Sequence, residues 1–317
     1  MRKIKVGLYG INGHQIHKQY KRGEPELTQL VALAGFGEYA EDFTMARVYE
    51  TLDELLADEE VELVSLCSPM RGDQARDAVR ALEAGKHVYA EKPVAMSEAD
   101  LDAIIAAARA SGKEFHEMGG VQFAQPYKRM REVVESGVLG EIVQVHGQKC
   151  YPWTERRPSD EHKDGGLALQ VGVYLTRFVE HVAGVRIKSL TMNETQLGNP
   201  VEGHGCRMAV SMNMTLENGG LASGTANYLN PMGSKVWGYE ILRIFGTKGI
   251  VESIPEDKAV RVMLQGEEPQ VYEAATGSGD YFDLFVKSLL GQARMPLSIE
   301  DELSPTRWIL RARDKAR

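Results

Sequence analysis

Between Ile4 and Ala90, short apolar runs alternate with amphipathic helical patterns, and no other feature of the chain restricts its fold as much. The runs are Ile4 to Tyr9, Leu30 to Phe36, Val61 to Ser68 and His87 to Ala90. Each is short and apolar at successive positions, as strands covered on both faces are. The intervening helices carry clear end signals. Thr51 and Glu54 form a capping box ahead of Leu52, Leu55 and Leu56. The pattern from Gln74 to Ala84 stops at Gly85, a usual residue just past a helix end. Ser97 and Asp100 open a third helix with Leu101, Ile104, Ile105 and Ala108 on one face and Gly112 after it. Strands alternating with helices in this way predict an α/β fold: a doubly wound parallel sheet with helices on both sides.

The pattern changes near residue 120. A helix is expected over Pro126 to Ser136, a strand over Glu141 to Cys150 and a second helix over about Leu167 to Ala183, each helix stopping at a glycine. Strands then dominate. Met208, Val210, Met212, Met214 and Leu216 alternate with Ala209, Ser211, Asn213 and Thr215, a period of two that marks a strand with one buried face. Asn218-Gly219 turns it into a hairpin that returns over Leu221 to Tyr228. Further strands are expected at Ile187 to Met192, Tyr239 to Phe245, Ile250 to Ser253, Ala259 to Leu264 and Pro269 to Glu273. The reading is two domains, 1–120 and 121–317, the second an α/β domain with a large, mostly antiparallel sheet. Its C-terminal helix, whose basic end runs from Arg307 to Arg317, is free to pack back on the first domain. A length of 317 residues suits two domains, and 43% hydrophobic residues suffice for a core in each.

Charge and cysteine usage exclude several functions. The net charge of −8 disfavours nucleic acid or an anionic membrane as partner, since both reward a basic face. Cys67, Cys150 and Cys206 are scattered and odd in number, so neither a disulfide framework nor a metal site is expected. Reduced, buried thiols fit a cytoplasmic protein, and the start of the chain lacks a signal-peptide core. The Met stripe reads as sheet core or oligomer contact rather than a binding box.

Val6 to Gln15 stands where a dinucleotide-binding turn would stand, between the first strand and the first helix. Gly10 can make the tight turn and Gly13 the close approach to a pyrophosphate, but Asn12 and Gln15 occupy the second and third glycine positions of the usual motif. The acid that binds an adenosine ribose would fall at Gly35, with Glu38 just beyond, so NAD and NADP are not distinguished. A glycine turn with no ligand remains open on these residues alone.

Two more stretches, Leu66-Cys67-Ser68-Pro69 and Ala84-Gly85-Lys86-His87-Val88-Tyr89-Ala90-Glu91-Lys92-Pro93, join the glycine loop in a pattern that resembles the glucose–fructose oxidoreductase/inositol dehydrogenase/rhizopine-catabolism (Gfo/Idh/MocA) family. Passages around Arg131 to Val145, Leu216 to Gly224 and Leu242 to Glu252 resemble it in the same order. The resemblance implies an NAD(P)-dependent oxidoreductase acting on a sugar, polyol or related hydroxylated molecule. Gly10, Asn12, Gly13, His14, Gln15, Ser68, Pro69, Glu91 and Lys92 would hold the cofactor. It also implies a substrate cleft between the domains and a homodimer or homotetramer built through the second sheet.

Within that resemblance Lys92 is the catalytic lysine, polarising the reacting oxygen, and because the family's Lys-Pro bond is often cis, a cis Lys92-Pro93 bond is expected. The family's Asp and His on the helix after Gly165-Gly166 are replaced here by Gln170 and Tyr174. At i and i+4 these two share a face. Gln170 cannot take a proton, so Tyr174 is the expected acid/base and Gln170 a positioning residue. A cation would have to lower the tyrosine's ordinary value near 10, and Lys92 is the expected one. Arg177 and His181 extend the same stripe and read as an exposed polar face. His116, Gln122, Trp153, Arg156, Arg157, Lys163 and His204 are further candidates whose roles the sequence leaves open. The loss of the usual Asp also keeps alternatives in view. One is a cofactor-binding sensor or regulatory partner without turnover; another is elimination or glycoside chemistry through transient oxidation.

Overall fold

The computed structural model describes residues 2–23, 25–234, 236–254, 259–273 and 280–316, so Arg317 of the predicted basic end lies outside the described residues. The first stretch holds β1 (Ile4–Tyr9), α1 (His17–Lys21), β2 (Thr28–Ala34), β3 (Arg47–Tyr49), α2 (Leu52–Ala57), β4 (Leu63–Leu66), α3 (Gln74–Glu83), β5 (His87–Ala90), α4 (Glu98–Ser111) and β6 (Phe115–Glu117). The six strands form one parallel sheet in the order β3-β2-β1-β4-β5-β6. Its core residues Val6, Leu8, Leu33, Leu63, Val64, Leu66 and Val88 are fully buried, because helices cover both faces. Both capping boxes, Thr51 with Glu54 and Ser97 with Asp100, are formed.

The second stretch begins with α5 (Tyr127–Glu135) and β7 (Ile142–Cys150), followed by the short α6 (Glu161–Asp164). A long helix then runs from Ala168 to Val182. Its centre, α7 (Val173–Arg177), lies between two π-helical turns, Ala168–Gly172 and Phe178–Val182. Strands β8 (Ile187–Thr195), β9 (Ala209–Leu216), β10 (Leu221–Asn227), β11 (Tyr239–Gly246), β12 (Gly249–Ile254), β13 (Ala259–Leu264) and β14 (Gln270–Tyr272) complete an eight-stranded sheet in the order β14-β13-β12-β11-β7-β10-β9-β8. Every pairing is antiparallel except β7 with β10. Met208, Met212 and Met214 are core residues of this sheet. The helix lies directly on it: a side chain at Gly172 would come within 2.6 Å of Met212 Cε.

Two helices close the chain, α8 (Tyr281–Leu289) and α9 (Ile299–Ala316). The two compact units are not consecutive stretches. The first comprises Met1–Gly119, His162–Gly165 and Asp280–Ser304; the second comprises the rest, including α9 from Pro305 onward. Two stretches beyond residue 120, His162–Gly165 and Asp280–Ser304, group with the first unit, and the C-terminal helix, which the sequence leaves free to pack back, divides between the units at Ser304/Pro305. The reason for the second is aromatic packing: Phe282 and Phe285 of α8 lie 5.1 Å and 6.2 Å from the Tyr89 ring, and Phe285 lies 4.5 Å from the His116 ring. Glu302 of α9 fixes the arrangement by accepting from Glu117 N at 2.7 Å and meeting His116 Nδ1 at 2.6 Å.

Candidate functional site

In the first unit, β1, β4 and β5 are adjacent parallel strands, and the predicted cofactor residues leave from their carboxyl ends. β1 turns at Gly10, where φ is +67° and a Cβ would strike the Cys67 carbonyl oxygen at 2.1 Å, so only glycine fits. Gln15 is buried and its side chain is fully engaged inside the fold. Its amide nitrogen donates to the Gly10 and Ser65 carbonyls at 3.0 and 3.1 Å, and its oxygen accepts from the Ser65 hydroxyl at 2.5 Å. The residue that breaks the glycine pattern thus ties the loop to β4. Asn12 donates to the carbonyls of Pro69 and Lys163 at 3.0 and 2.8 Å. The Ser68 hydroxyl donates to Asp77 at 2.8 Å.

The segment after β5 is pinned just as firmly. Gln74, which the sequence reading did not single out, donates to the carbonyls of Leu66 and Glu91 and accepts from Ser68 N, all at 2.8–2.9 Å. Glu91 is 2% exposed; its carboxylate accepts the main-chain N–H of His14 at 2.8 Å and stands 3.3 Å from that imidazole. Burial pushes this carboxyl up, but the His14 hydrogen bond and the Lys92, His14 and Arg71 charges outweigh it and hold it below the ordinary carboxylate range. Lys92 follows, 6% exposed, on a cis bond to Pro93.

Arg71 is the second residue missed. It is 1% exposed and donates through Nη2 to the Asn12 carbonyl. Its Nε and Nη1 have no hydrogen-bond partner among the described residues. Burial pulls its charged form down against the acids that face it, Glu91, Asp164 and Glu117. A buried guanidinium with two unmatched nitrogens is costly, and an anion beside the glycine loop would satisfy it. By this test the first unit fits a dinucleotide with its charged phosphate bridge.

In the second unit, Gln170 and Tyr174 remain partly exposed while Leu169, Val171, Gly172, Val173 and Leu175 around them are buried. Arg177 and His181 are buried, at 1% and 5%, so the exposed polar face expected for them is corrected. The π-helical turns supply the reason. Widening the helix changes which positions face the sheet, and such turns often accompany functional sites.

Tyr174 sits in a cage of charge. Lys149 Nζ lies 3.8 Å from the centroid of its ring, and the Arg177 guanidinium 5.6 Å. Lys149, on β7, is ion-paired with Glu240 of β11, which also accepts the Tyr127 hydroxyl of α5. Burial raises Tyr174 above its ordinary value; Lys149 pulls it down, Tyr151 pushes it up, and smaller opposing pulls from Arg177 and Glu240 follow. The expected lowering of Tyr174 is therefore reversed. The cations facing it within this unit are Lys149 and Arg177.

The other candidates are accounted for locally. His116 is buried on Glu302, with Tyr281 beside it at 3.4 Å. Arg157 stacks 3.5 Å above the Tyr228 ring and donates to the Pro152 carbonyl. Arg156 is exposed. Gln122 is buried with its side-chain oxygen unmatched among the described residues, and the Trp153 indole nitrogen is likewise unmatched. His204 Nδ1 accepts from Cys206 N at 3.2 Å. All three cysteines are buried thiols outside any disulfide.

Comparison with known proteins agrees with this geometry. Residues 4–118 match the family described as "Oxidoreductase family, NAD-binding Rossmann fold", and residues 127–252 match its "GFO/IDH/MocA C-terminal domain". Over 184 residues the chain is 26% identical to the trans-1,2-dihydrobenzene-1,2-diol dehydrogenase of Bos taurus, a match covering 57% of this chain and 55% of that protein. Over 118 residues it is 31% identical to the inositol 2-dehydrogenase of Salmonella typhimurium, covering 37% of this chain and 34% of that one. The matched stretch thus spans about half the length of the first relative and about a third of the second. A Thermotoga maritima structure shares 25% identity with a TM-score of 0.85, covering 99% of this chain and 98% of its own. The aldose-aldose oxidoreductase of Caulobacter crescentus, at 22% identity and a TM-score of 0.83 over 100% of this chain and 99% of its own, shares the fold. No helix among the described residues is long and apolar enough to cross a membrane.

Proposed function

Because the chain belongs to the Gfo/Idh/MocA oxidoreductase family, we propose that it transfers a hydride between a nicotinamide cofactor and a hydroxyl-bearing carbon of a sugar, polyol or related small molecule. One observation supports this most. Gly10, Ser68 and Lys92 emerge from the carboxyl ends of three adjacent parallel strands, at the switch point where open α/β sheets take nucleotides. Gly10, Asn12, Gly13, His14, Ser68, Pro69, Glu91 and Lys92 line the cofactor site in this reading, with Gln15 holding the loop's shape. Arg71 adds a guanidinium for the phosphate bridge. NAD and NADP are both compatible: Gly35 offers no carboxylate, and Glu38 lies beyond the end of β2.

The nicotinamide, when bound, supplies the two-electron acceptor or donor. The rest falls to side chains. Lys92 hydrogen-bonds the reacting oxygen and stabilises the alkoxide character that develops on it. Gln170 donates to or accepts from a neighbouring substrate hydroxyl. Tyr174 moves the proton. Since burial keeps its phenol protonated at neutral pH, it stands ready to protonate a nascent alkoxide during carbonyl reduction. Alcohol oxidation needs the phenolate, so its rate climbs with pH.

The test is purified protein assayed with NAD and NADP against sugars, inositols and cyclic trans-diols, the last two suggested by the relatives' names. Turnover is expected, and Tyr174→Phe should lower kcat by about 10²–10⁴-fold, the usual contribution of a positioned acid/base. Tight nucleotide binding without turnover on the whole panel would replace this reading with a sensor or regulatory role. Unchanged turnover in Tyr174→Phe would remove Tyr174 from it.

The open face of the eight-stranded sheet presents Ser189, Thr191, Asn213, Thr215 and Ser223 beside a half-exposed Leu221. It is the proposed contact of a cytoplasmic homodimer or homotetramer, measurable by sedimentation; a monomer at all concentrations would overturn it.

A further inference from the structure

Lys149 and Glu240 are directly opposite each other in the register of β7 with β11. Facing residues in antiparallel strands hold their Cβ atoms roughly 4.5–5.5 Å apart, so the sheet itself sets this ion pair. The Lys149 side chain is 4% exposed and that of Glu240 is 26%. From this position the amine reaches two rings, Tyr174 at 3.8 Å and Tyr151 at 5.2 Å. The pair does not contribute to binding the cofactor or carrying the hydride in the reading above, yet it stands against the proposed acid/base.

We propose that Lys149, with Glu240 as its counter-charge, is a positioning residue that sets how readily Tyr174 gives up its proton. This rests on the reading that Tyr174 moves the substrate proton. The physics is differential. Over a neutral phenol the amine gains only the attraction of the ring quadrupole; over a phenolate it gains a full opposite charge. It therefore favours the ionised form, while burial favours the neutral one. Glu240 tempers the effect by sharing the same amine and by placing a negative charge near the ring. Among the described residues, the groups facing Tyr174 include Lys149 of β7, Tyr151 just after it, Arg177 one turn along its own helix, Glu240 of β11 and Tyr127 of α5.

The two partners must therefore act with opposite signs. In the pH profile for oxidation, Lys149→Met should move the ionisation limb of Tyr174 upward by about one unit, the low end for loss of an adjacent opposite charge. At a pH below the limb, oxidation then slows about tenfold. Glu240→Gln should move the limb downward, because the amine is no longer shared. Lys149→Arg should restore a limb near that of the unmodified protein. A residue that merely packed would lower turnover without opposite displacements of the limb. Limbs that coincide in folded Lys149→Met, Glu240→Gln and unmodified protein would overturn the proposal. Should Lys149→Met fail to fold, the downward shift in Glu240→Gln decides the matter. The two readings separate cleanly. If Tyr174→Phe keeps its turnover, the acid/base assignment fails, and ultraviolet titration of the Tyr174 phenolate in the same variants, with Tyr174→Phe as blank, still decides the coupling.

Discussion

Among the cations that each unit buries, Arg71 beside the glycine loop of the first and Lys149 beside the helix of the second are treated in opposite ways. Lys149 is matched: its charge meets Glu240, and its remaining surroundings are the faces of Tyr174 and Tyr151. Among the described residues, Arg71 donates to the Asn12 carbonyl and has two nitrogens unmatched, although three acids lie around it. A matched cation is part of the fold. An unmatched one points to something the fold lacks until a ligand arrives. Lys149→Met should therefore destabilise the protein by about 3 kcal/mol, the lower end of the usual cost of breaking a buried pair, since Glu240 keeps some access to water. Arg71→Met should destabilise it far less, or stabilise it, because a costly desolvated charge disappears. Denaturant unfolding of the two variants without nucleotide checks this; equal losses would erase the distinction.

Nucleotide binding sharpens the same contrast. Arg71→Met should weaken NADH and ADP-ribose by about tenfold or more, since a charge-assisted hydrogen bond contributes about 1.5–3 kcal/mol. Adenosine, which carries no phosphate, should bind the variant and the unmodified protein alike. Lys149→Met should change none of the three. Fluorescence and calorimetric titrations read these affinities, and an Arg71 variant with full NADH affinity would show that its unmatched nitrogens serve some other group.

The same contrast shows what a sequence carries. Elements governed by local chemistry were legible: the two capping boxes, the first strand, the Asn218-Gly219 hairpin and the alternating Met strand all stand where their residues predict. The helix near Gly165 was legible as a helix, but its π-helical turns were not. They depend on how the helix meets the sheet at Gly172, and they bury Arg177 and His181 against expectation. The return of Asp280–Ser304 to the first unit rests on Phe282, Phe285 and Glu302 finding Tyr89, His116 and Glu117, a contact with no local pattern. Lys149 did leave a trace. It is in phase with Val145 and Gly147 on β7, and Glu240 is in phase with Leu242 and Ile244 on β11. A lysine on the buried phase of a strand is a signal in itself. Arg71 leaves none, because it opens a short 3₁₀ turn, Arg71–Asp73, where a charged residue ordinarily faces water.

A smaller effect separates the first sheet from the second by pH. His87 opens β5, and its Nδ1 accepts the main-chain N–H of Glu114 at 3.0 Å, which requires the neutral ring. Burial is the main cause that holds its value down at about 4 instead of 6.5, with Lys113 adding to it. The sign follows directly. The unfolded chain takes up this proton near 6.5 while the folded one resists until about 4, so stability is complete above 6.5 and is lost as the pH falls towards 4. His87→Gln keeps an acceptor but has no proton to take up. Its unfolding midpoint should fall less than that of the unmodified protein across this window. The ring sits at the start of β5, at the opposite end from the strand terminus that leads to Lys92, so its titration loosens the sheet without touching Arg71 or Glu91. If the variant lost stability with the same slope, the acid sensitivity would belong to buried carboxylates such as Glu91.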